Sequence, residues 1–296
     1  MAPPTEPAIV DGLPCVKVID YIDAMTQLKF PIVAIMGGLF LTASARGADK
    51  APDAGAAKAP AAAKAAPAAA KPAFAPTAGG TMATWWGHAA WVITTPGGAT
   101  IAIDPWLDNP NAPKIEHPKA LDAILVTHGH FDHVGNAAEL ASLIGAPNSE
   151  GMNMGGTVMV KDATIHVVEA LHSGGYGQDK AGPKYSGPAV GFVIDVAKGP
   201  VLYHAGDTDV FTGMSLIAER YHPTVAMLPI GGHFTMDPAG AALAAKLLKV
   251  KTVVPMHYGT FPALSGTPDQ LRDALKKAHG TAKVVEFVPG EPQSLK

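Results

Sequence analysis

From residue 81 onward the apolar positions fall into short runs, rich in Val, Ile and Ala, punctuated by Gly, Pro and Asp. Runs of this kind read as β-strands. The pattern predicts strands over Ala83–Trp86 and Trp91–Thr95 around a Gly87-His88 turn, a third over Thr100–Asp104 closed by Pro105, and a fourth over Ala123–Thr127. A second set is predicted at Thr157–Val160, Thr164–Ala170, Ala189–Val196, Val201–His204, Val225–Leu228, Thr252–Pro255 and Lys283–Phe287. Helical spacing marks Asn136–Ile144, stopped by Gly145 and Pro147, and then Pro238–Leu248 and Pro268–Ala278. Two rounds of strands followed by helices predict an α+β sandwich, with two packed mixed sheets and helices on the outer faces.

Ahead of this domain the pattern changes. Met25-Thr-Gln-Leu-Lys29 is a short, weakly basic start, Phe30–Leu41 is an apolar stretch, and Ala43-Ser44-Ala45 fits a small-residue cleavage site. Residues 25–45 therefore read as a signal peptide, and residues 1–24 as an over-extended translation start or an N-terminal extension. The apolar stretch falls short of the roughly 20 residues that a membrane-spanning helix needs. A cleaved signal is preferred over an anchor, and no stable membrane insertion is expected afterwards. Residues 46–80 are almost entirely Ala, Pro and Lys and read as a flexible linker, which leaves residues 81–292 as the folded domain. The expected destination is the periplasm or the medium.

Composition narrows the partners. With 22 basic against 25 acidic residues and a net charge of -3, the chain lacks the basic footprint of a nucleic-acid binder. The single cysteine, Cys15, precedes the signal and leaves neither a disulfide framework nor a thiolate ligand in the domain. A small-molecule substrate is the expected partner.

The strongest chemical signal is His128-Gly129-His130-Phe131-Asp132-His133, where three imidazoles and a carboxylate follow a predicted strand. That set suits zinc, iron or manganese. Four further strand ends place a His or Asp close to glycine: His172, Asp207 with His204 three residues earlier, His233, and His257. Such turns let side chains project from a sheet edge into a shared site. His233, in Gly231-Gly-His-Phe-Thr-Met, suits either a donor to a developing oxyanion or a structural histidine. His88 is read as approaching the site behind its ligands or as a hydrogen-bonded structural residue, and His204 as an orienting residue. The loop Gly174–Gly187, carrying Tyr176, Lys180, Lys184 and Tyr185, reads as a lid over an anionic or polar ligand or as an ordinary surface loop.

His128-x-His130-x-Asp132-His133, followed in order by His172, Asp207 and His257, resembles the motif series of the metallo-β-lactamase superfamily, with Asp104 in Ile-Asp-Pro matching its first motif. Trp86-Gly-His-Ala-Ala, Tyr203-His-Ala-Gly-Asp-Thr and Pro229-Ile-Gly-Gly-His-Phe-Thr-Met-Asp-Pro are similar to a branch of predicted metal-dependent hydrolases related to L-ascorbate-6-phosphate lactonase and, more distantly, to N-acylphosphatidylethanolamine phospholipase D. The resemblance implies two divalent ions, zinc first, with manganese or iron as the other ions the ligands suit. It assigns His128, His130 and His172 to one ion, Asp132, His133 and His257 to the other, and Asp207 to both. Asp104 is placed behind a ligand imidazole, and Asp132 counts among the catalytic groups. A hydroxide shared by the two ions would attack a lactone, amide or phosphoester. The competing readings are an iron-dependent thiol or persulfide dioxygenase on the same fold and a non-catalytic metal-binding protein.

Overall fold

The computed structural model describes residues 80–114, 120–143, 152–177 and 182–295. The leader and nearly all of the linker lie outside the described residues. The chain first forms β1 (Thr81–Trp85), β2 (Trp91–Thr94), β3 (Thr100–Ile103), β4 (Ala123–Leu125), a single helical turn α1 (Phe131–Val134) and helix α2 (Ala137–Leu143). Next come β5 (Thr157–Val160), β6 (Ala163–Glu169), the short hairpin β7 (Gly175–Tyr176) and β8 (Lys184–Tyr185), β9 (Val190–Val196) and β10 (Val201–His204). The last part holds α3 (Met214–Tyr221), β11 (Val225–Pro229), α4 (Pro238–Leu248), β12 (Thr252–Met256), α5 (Pro268–Lys277), β13 (Lys283–Val284) and β14 (Pro292–Leu295).

These strands build a five-stranded sheet in the order β14-β1-β2-β3-β4 and a seven-stranded sheet in the order β13-β12-β11-β10-β9-β6-β5. Alternation along each strand sorts the side chains into layers. Trp91, Ile93, Ile101 and Ile103 of one sheet meet Ile165, Phe192, Ile194, Met227 and Val254 of the other in the central core. The opposite face of the larger sheet presents Val193, Tyr203, Ala226, Leu228 and Val253 to α3, α4 and α5. Val92 and Ala102 on the outer face of the smaller sheet pack with Leu140 of α2. The result is a four-layer αβ/βα sandwich with mixed sheets. Among the described residues, no helix is long and apolar enough to cross a membrane.

Several elements differ from the sequence expectation. The fourth strand ends at Leu125, because the Thr127 amide donates to the Asp104 carboxylate at 2.8 Å instead of to a neighbouring strand. Helix α3 was not anticipated, and neither was β14, which pairs with β1 as far as Thr81 opposite Leu295 and so carries the fold past residue 292. The last predicted strand shortens to Lys283–Val284, and Phe287 turns into the central core against Trp91, with ring centroids 5.0 Å apart.

Candidate metal centre

Strand polarity brings the candidate ligands to one edge of the sandwich. β3 and β4 are parallel, as are β10, β11 and β12, and β6 shares the direction of β10 because both oppose β9. The loops leaving β3, β4, β6, β10 and β12 carry Asp104, the 128–133 segment, His172, Asp207 and His257 respectively. All of them therefore emerge on the same side. The β10 loop turns at Gly206 with φ +62°, and a methyl group there would sit 2.7 Å from the Val190 carbonyl oxygen. Gly206→Ala is expected to cost about 1–3 kcal/mol in a denaturant titration, through a strained backbone and overpacking beside Asp207.

Three overlapping sets of donors form there: His128, His130 and His172; His88, Asp132, His133 and His257; and His128, His133 and Asp207. In the first, Nε2 of His128 lies 2.8 Å from Nδ1 of His130. Asp207 Oδ2 sits 3.2 Å from His133 Nε2, 3.0 Å from His257 Nε2 and 3.6 Å from His172 Nε2. One carboxylate thus reaches imidazoles on both sides of the cluster. Asp132 Oδ2 is 3.9 Å from Nε2 of both His133 and His257.

Behind these groups lies an orienting layer. Asp104 is fully buried, and besides the Thr127 amide it accepts from the Thr127 hydroxyl at 2.7 Å and from His133 Nδ1 at 2.8 Å. This fixes the His133 ring so that Nε2 faces Asp207, as an imidazole-orienting carboxylate should. On the other side, His88 Nε2 lies 3.1 Å from Asp132 Oδ2 and His88 Nδ1 2.9 Å from the Thr260 hydroxyl. The consistent proton arrangement has Thr260 donating to Nδ1 and the Nε2 proton donated to the ionised Asp132. Among the described residues, the hydrogen bonds of His204 run to backbone groups and not to a ligand side chain. Its Nδ1 accepts from the Gly206 amide at 3.2 Å and its Nε2 lies 3.3 Å from the Ala89 carbonyl, so it ties the Asp207 loop to the turn that carries His88.

Protonation follows from this packing. Burial lowers the His88 imidazole to about 4, even though the Asp132 hydrogen bond opposes the shift. Burial likewise lowers His128, His130 and His172, which leaves them neutral and ready to ligate at neutral pH. For Asp132, burial favours the protonated form, but the His88 hydrogen bond and the His133 charge outweigh it and hold the carboxyl below its ordinary range. Asp207 is held well below as well, because His133 and His257 overcome its burial. His133 goes the other way: burial would lower it, but Asp207 and Asp104 together hold it well above its ordinary value. With Nδ1–H given to Asp104, the extra proton sits on Nε2, where a cation would bind. Metal uptake at pH 7 is therefore expected to release about one proton per chain, and affinity should fall as pH falls. Calorimetry in buffers of different ionisation enthalpy measures that proton directly.

The residues fit a cation on a second count. Among the described residues, His257 Nδ1 and Asp207 Oδ1 are buried without a hydrogen-bond partner, and His133 Nε2 and His257 Nε2 have only the Asp207 Oδ2 ion-pair contact, at 3.2 and 3.0 Å, without the geometry of a hydrogen bond. Four such atoms in one place are costly unless an ion satisfies them.

The cluster forms the floor of an open cleft of about 1290 Å³. The β7–β8 hairpin stands at its rim and contributes Tyr176, Lys184 and Tyr185, whereas Lys180 lies outside the described residues. Gly174 permits that placement, because a methyl group there would lie 1.8 Å from the Gly187 carbonyl oxygen. His233 is not brought into the cluster. It is exposed, packs its ring edge-on against Phe234 at 4.4 Å, and leaves Phe234 on the cleft wall, because the backbone turns through positive φ at both Gly232 and His233. Sequence reasoning missed Thr127 and Thr260, whose only signal is a polar residue beside a ligand motif, and the aromatic wall of Phe131, Phe234 and Phe261.

With this geometry in place, comparison with known proteins is direct. The family described as Beta-lactamase superfamily domain matches residues 83–257. A UPF0173 metal-dependent hydrolase of Myxococcus xanthus is 53% identical over 291 residues, spanning 91% of this chain and all of that protein. Another from Anaeromyxobacter sp. is 48% identical over 72% of this chain and 86% of its own length. Among solved structures, a metallo hydrolase of the archaeon Ignicoccus hospitalis is 35% identical, with a TM-score of 0.62, and covers 73% of this chain and 99% of that one. The chain belongs to the metallo-β-lactamase superfamily and, within it, to the UPF0173 metal-dependent hydrolase family. It is a metal-dependent hydrolase with a candidate His/Asp metal site.

Proposed function

We propose that this chain is an exported hydrolase that uses two divalent ions, zinc before manganese or iron, to add water across a lactone, amide or phosphoester. The observation that carries the two-ion reading is Asp207, whose Oδ2 lies within 3.6 Å of imidazoles from both ligand groups. His128, His130 and His172 would hold one ion, Asp132, His133 and His257 the other, and Asp207 both. When bound, such a pair lowers the pKa of water toward neutrality and polarises the substrate oxygen.

The chain's own residues supply the rest. Asp104 and Thr127 hold the His133 ring, and Thr260 acting through His88 holds Asp132. Asp132 is ionised and faces the cleft, which suits it to hold an ion and to orient the attacking water by accepting a hydrogen bond from it. The fully assembled second ligand set favours hydrolysis over a one-iron dioxygenase, which would leave that set idle.

Export rests on the apolar stretch and cleavage pattern at residues 25–45. The resemblance of the motifs around Trp86, Tyr203 and Pro229 to a lactonase-related branch puts a lactone among the candidate substrates. The test is turnover of a lactone and a phosphodiester in ¹⁸O-labelled water by the metal-loaded protein, with an oxygen electrode alongside. One labelled oxygen per molecule hydrolysed, carried by the acid or phosphomonoester product and lost in Asp132→Ala, supports the reading. Oxygen consumption tied to one iron overturns it.

A further inference from the structure

Above the metal cluster, the cleft is walled by four separate segments of the chain. Phe131 and Val134 come from α1, Tyr176, Pro183 and Tyr185 from the hairpin, and Phe234, Phe261 and Pro262 from the loops after β11 and β12. Phe131 and Phe234 are 51% and 53% exposed, and Tyr185 is 77% exposed. Three large rings left open to solvent around a reaction floor are costly to keep unless something apolar covers them. Among the described lining residues, the only charge apart from the metal-site groups is Lys184. A group carrying more negative charge than the ions on the floor would hold, such as a phosphomonoester or several carboxylates, would call for further cations on the wall, arginine above all.

We infer that the substrate is a carboxylic lactone, ester or amide carrying a long aliphatic or aryl group, which lies between Phe131, Tyr185 and Phe234 while its carbonyl meets the floor. This rests on the hydrolase reading and narrows it. The step balances with water alone. The water oxygen bonds to the acyl carbon, and the bond to the leaving oxygen or nitrogen breaks with its electron pair. One water proton ends on the leaving group and the other passes to solvent.

The test is a chain-length series on the full-length, metal-loaded protein: γ-butyrolactone, γ-octalactone and γ-dodecalactone, with a phosphodiester as control. Burying a methylene is worth up to about fourfold in kcat/KM, so partial burial of the tail is expected to raise it about a hundredfold across the series. Phe131 and Phe234 lie outside the buried core, and the melting temperature and metal content of the Phe131→Ser/Phe234→Ser variant are checked against the parent protein. That variant is expected to cut the long-to-short ratio at least tenfold. It is also expected to weaken binding of the neutral fluorophore N-phenyl-1-naphthylamine about tenfold, a readout that needs no turnover. A flat series, or a phosphodiester preferred over every lactone, overturns the inference while the hydrolase reading stands. Probe binding that the variant weakens, with no hydrolysis of any compound, overturns the hydrolase reading instead.

Discussion

Asp207→Asn is expected to lower kcat/KM by at least about a thousandfold, equivalent to about 4 kcal/mol of lost transition-state stabilisation. The change keeps the shape of the side chain and removes its charge. Asp207 is nearly fully buried, and its Oδ2 is the atom that lies near His133, His172 and His257 together. A neutral amide offers only a weak carbonyl ligand to one cation and cannot offset the repulsion between two. The variant should therefore also retain less metal after dialysis against a mild chelator. The His133 ring, freed from one of its two carboxylates, should release its extra proton at lower pH than in the parent protein. Steady-state kinetics with metal analysis on the same samples reads both effects. A variant that keeps two ions and more than a tenth of the activity contradicts the role given to Asp207.

The second large effect belongs to a residue that touches no substrate. Asp104→Ala should destabilise the fold by about 3–5 kcal/mol, as expected when one member of a buried charged network is removed. Its oxygens accept from the Thr127 amide, the Thr127 hydroxyl and His133 Nδ1, and the site is fully buried, so water cannot replace it. For a domain of this size that is a loss of about 10 °C in melting temperature. Asp104→Asn separates folding from metal binding. It tolerates the positive φ of 45° at this position and can still accept from Thr127. It no longer provides a carboxylate to the His133 ring, so metal affinity should fall about 10- to 100-fold with a smaller change in melting temperature. Calorimetric titration of the ion and thermal denaturation measure the two quantities independently. Equal losses in both variants would mean that Asp104 serves the fold alone.

What could be read in the sequence depended on how local the determining physics was. Helices α4 and α5 begin where expected because each carries its own start signal. Asp237 accepts from the Gly240 amide with Pro238 following, and Thr267 forms a capping box with Gln270 with Pro268 following. Helix α3 starts at Gly213 with no side-chain cap, so nothing local announces it. Its buried Met214 and Ile217 gain their meaning only against the sheet. Strand β14 reads Pro-Gln-Ser-Leu, a polar segment that becomes a strand only through pairing with β1. The candidate ligands were legible as a cluster because their spacing places them at strand ends that the fold gathers on one side. The aromatic wall of Phe131, Phe234 and Phe261 was not, because those residues are distant in sequence and only the folded chain brings them to one cleft. His233 shows the limit of motif reasoning: a histidine in a glycine-rich turn can lie on either side of the backbone, and here Phe234 takes the cleft.

The most direct test of the account is the number and position of bound ions, measured by elemental analysis of the full-length protein and by anomalous diffraction from its crystals. The prediction is two ions per chain, one among His128, His130 and His172 and the other among Asp132, His133 and His257, with Asp207 at both. A single ion in a fully active protein, or ions held elsewhere, would contradict it.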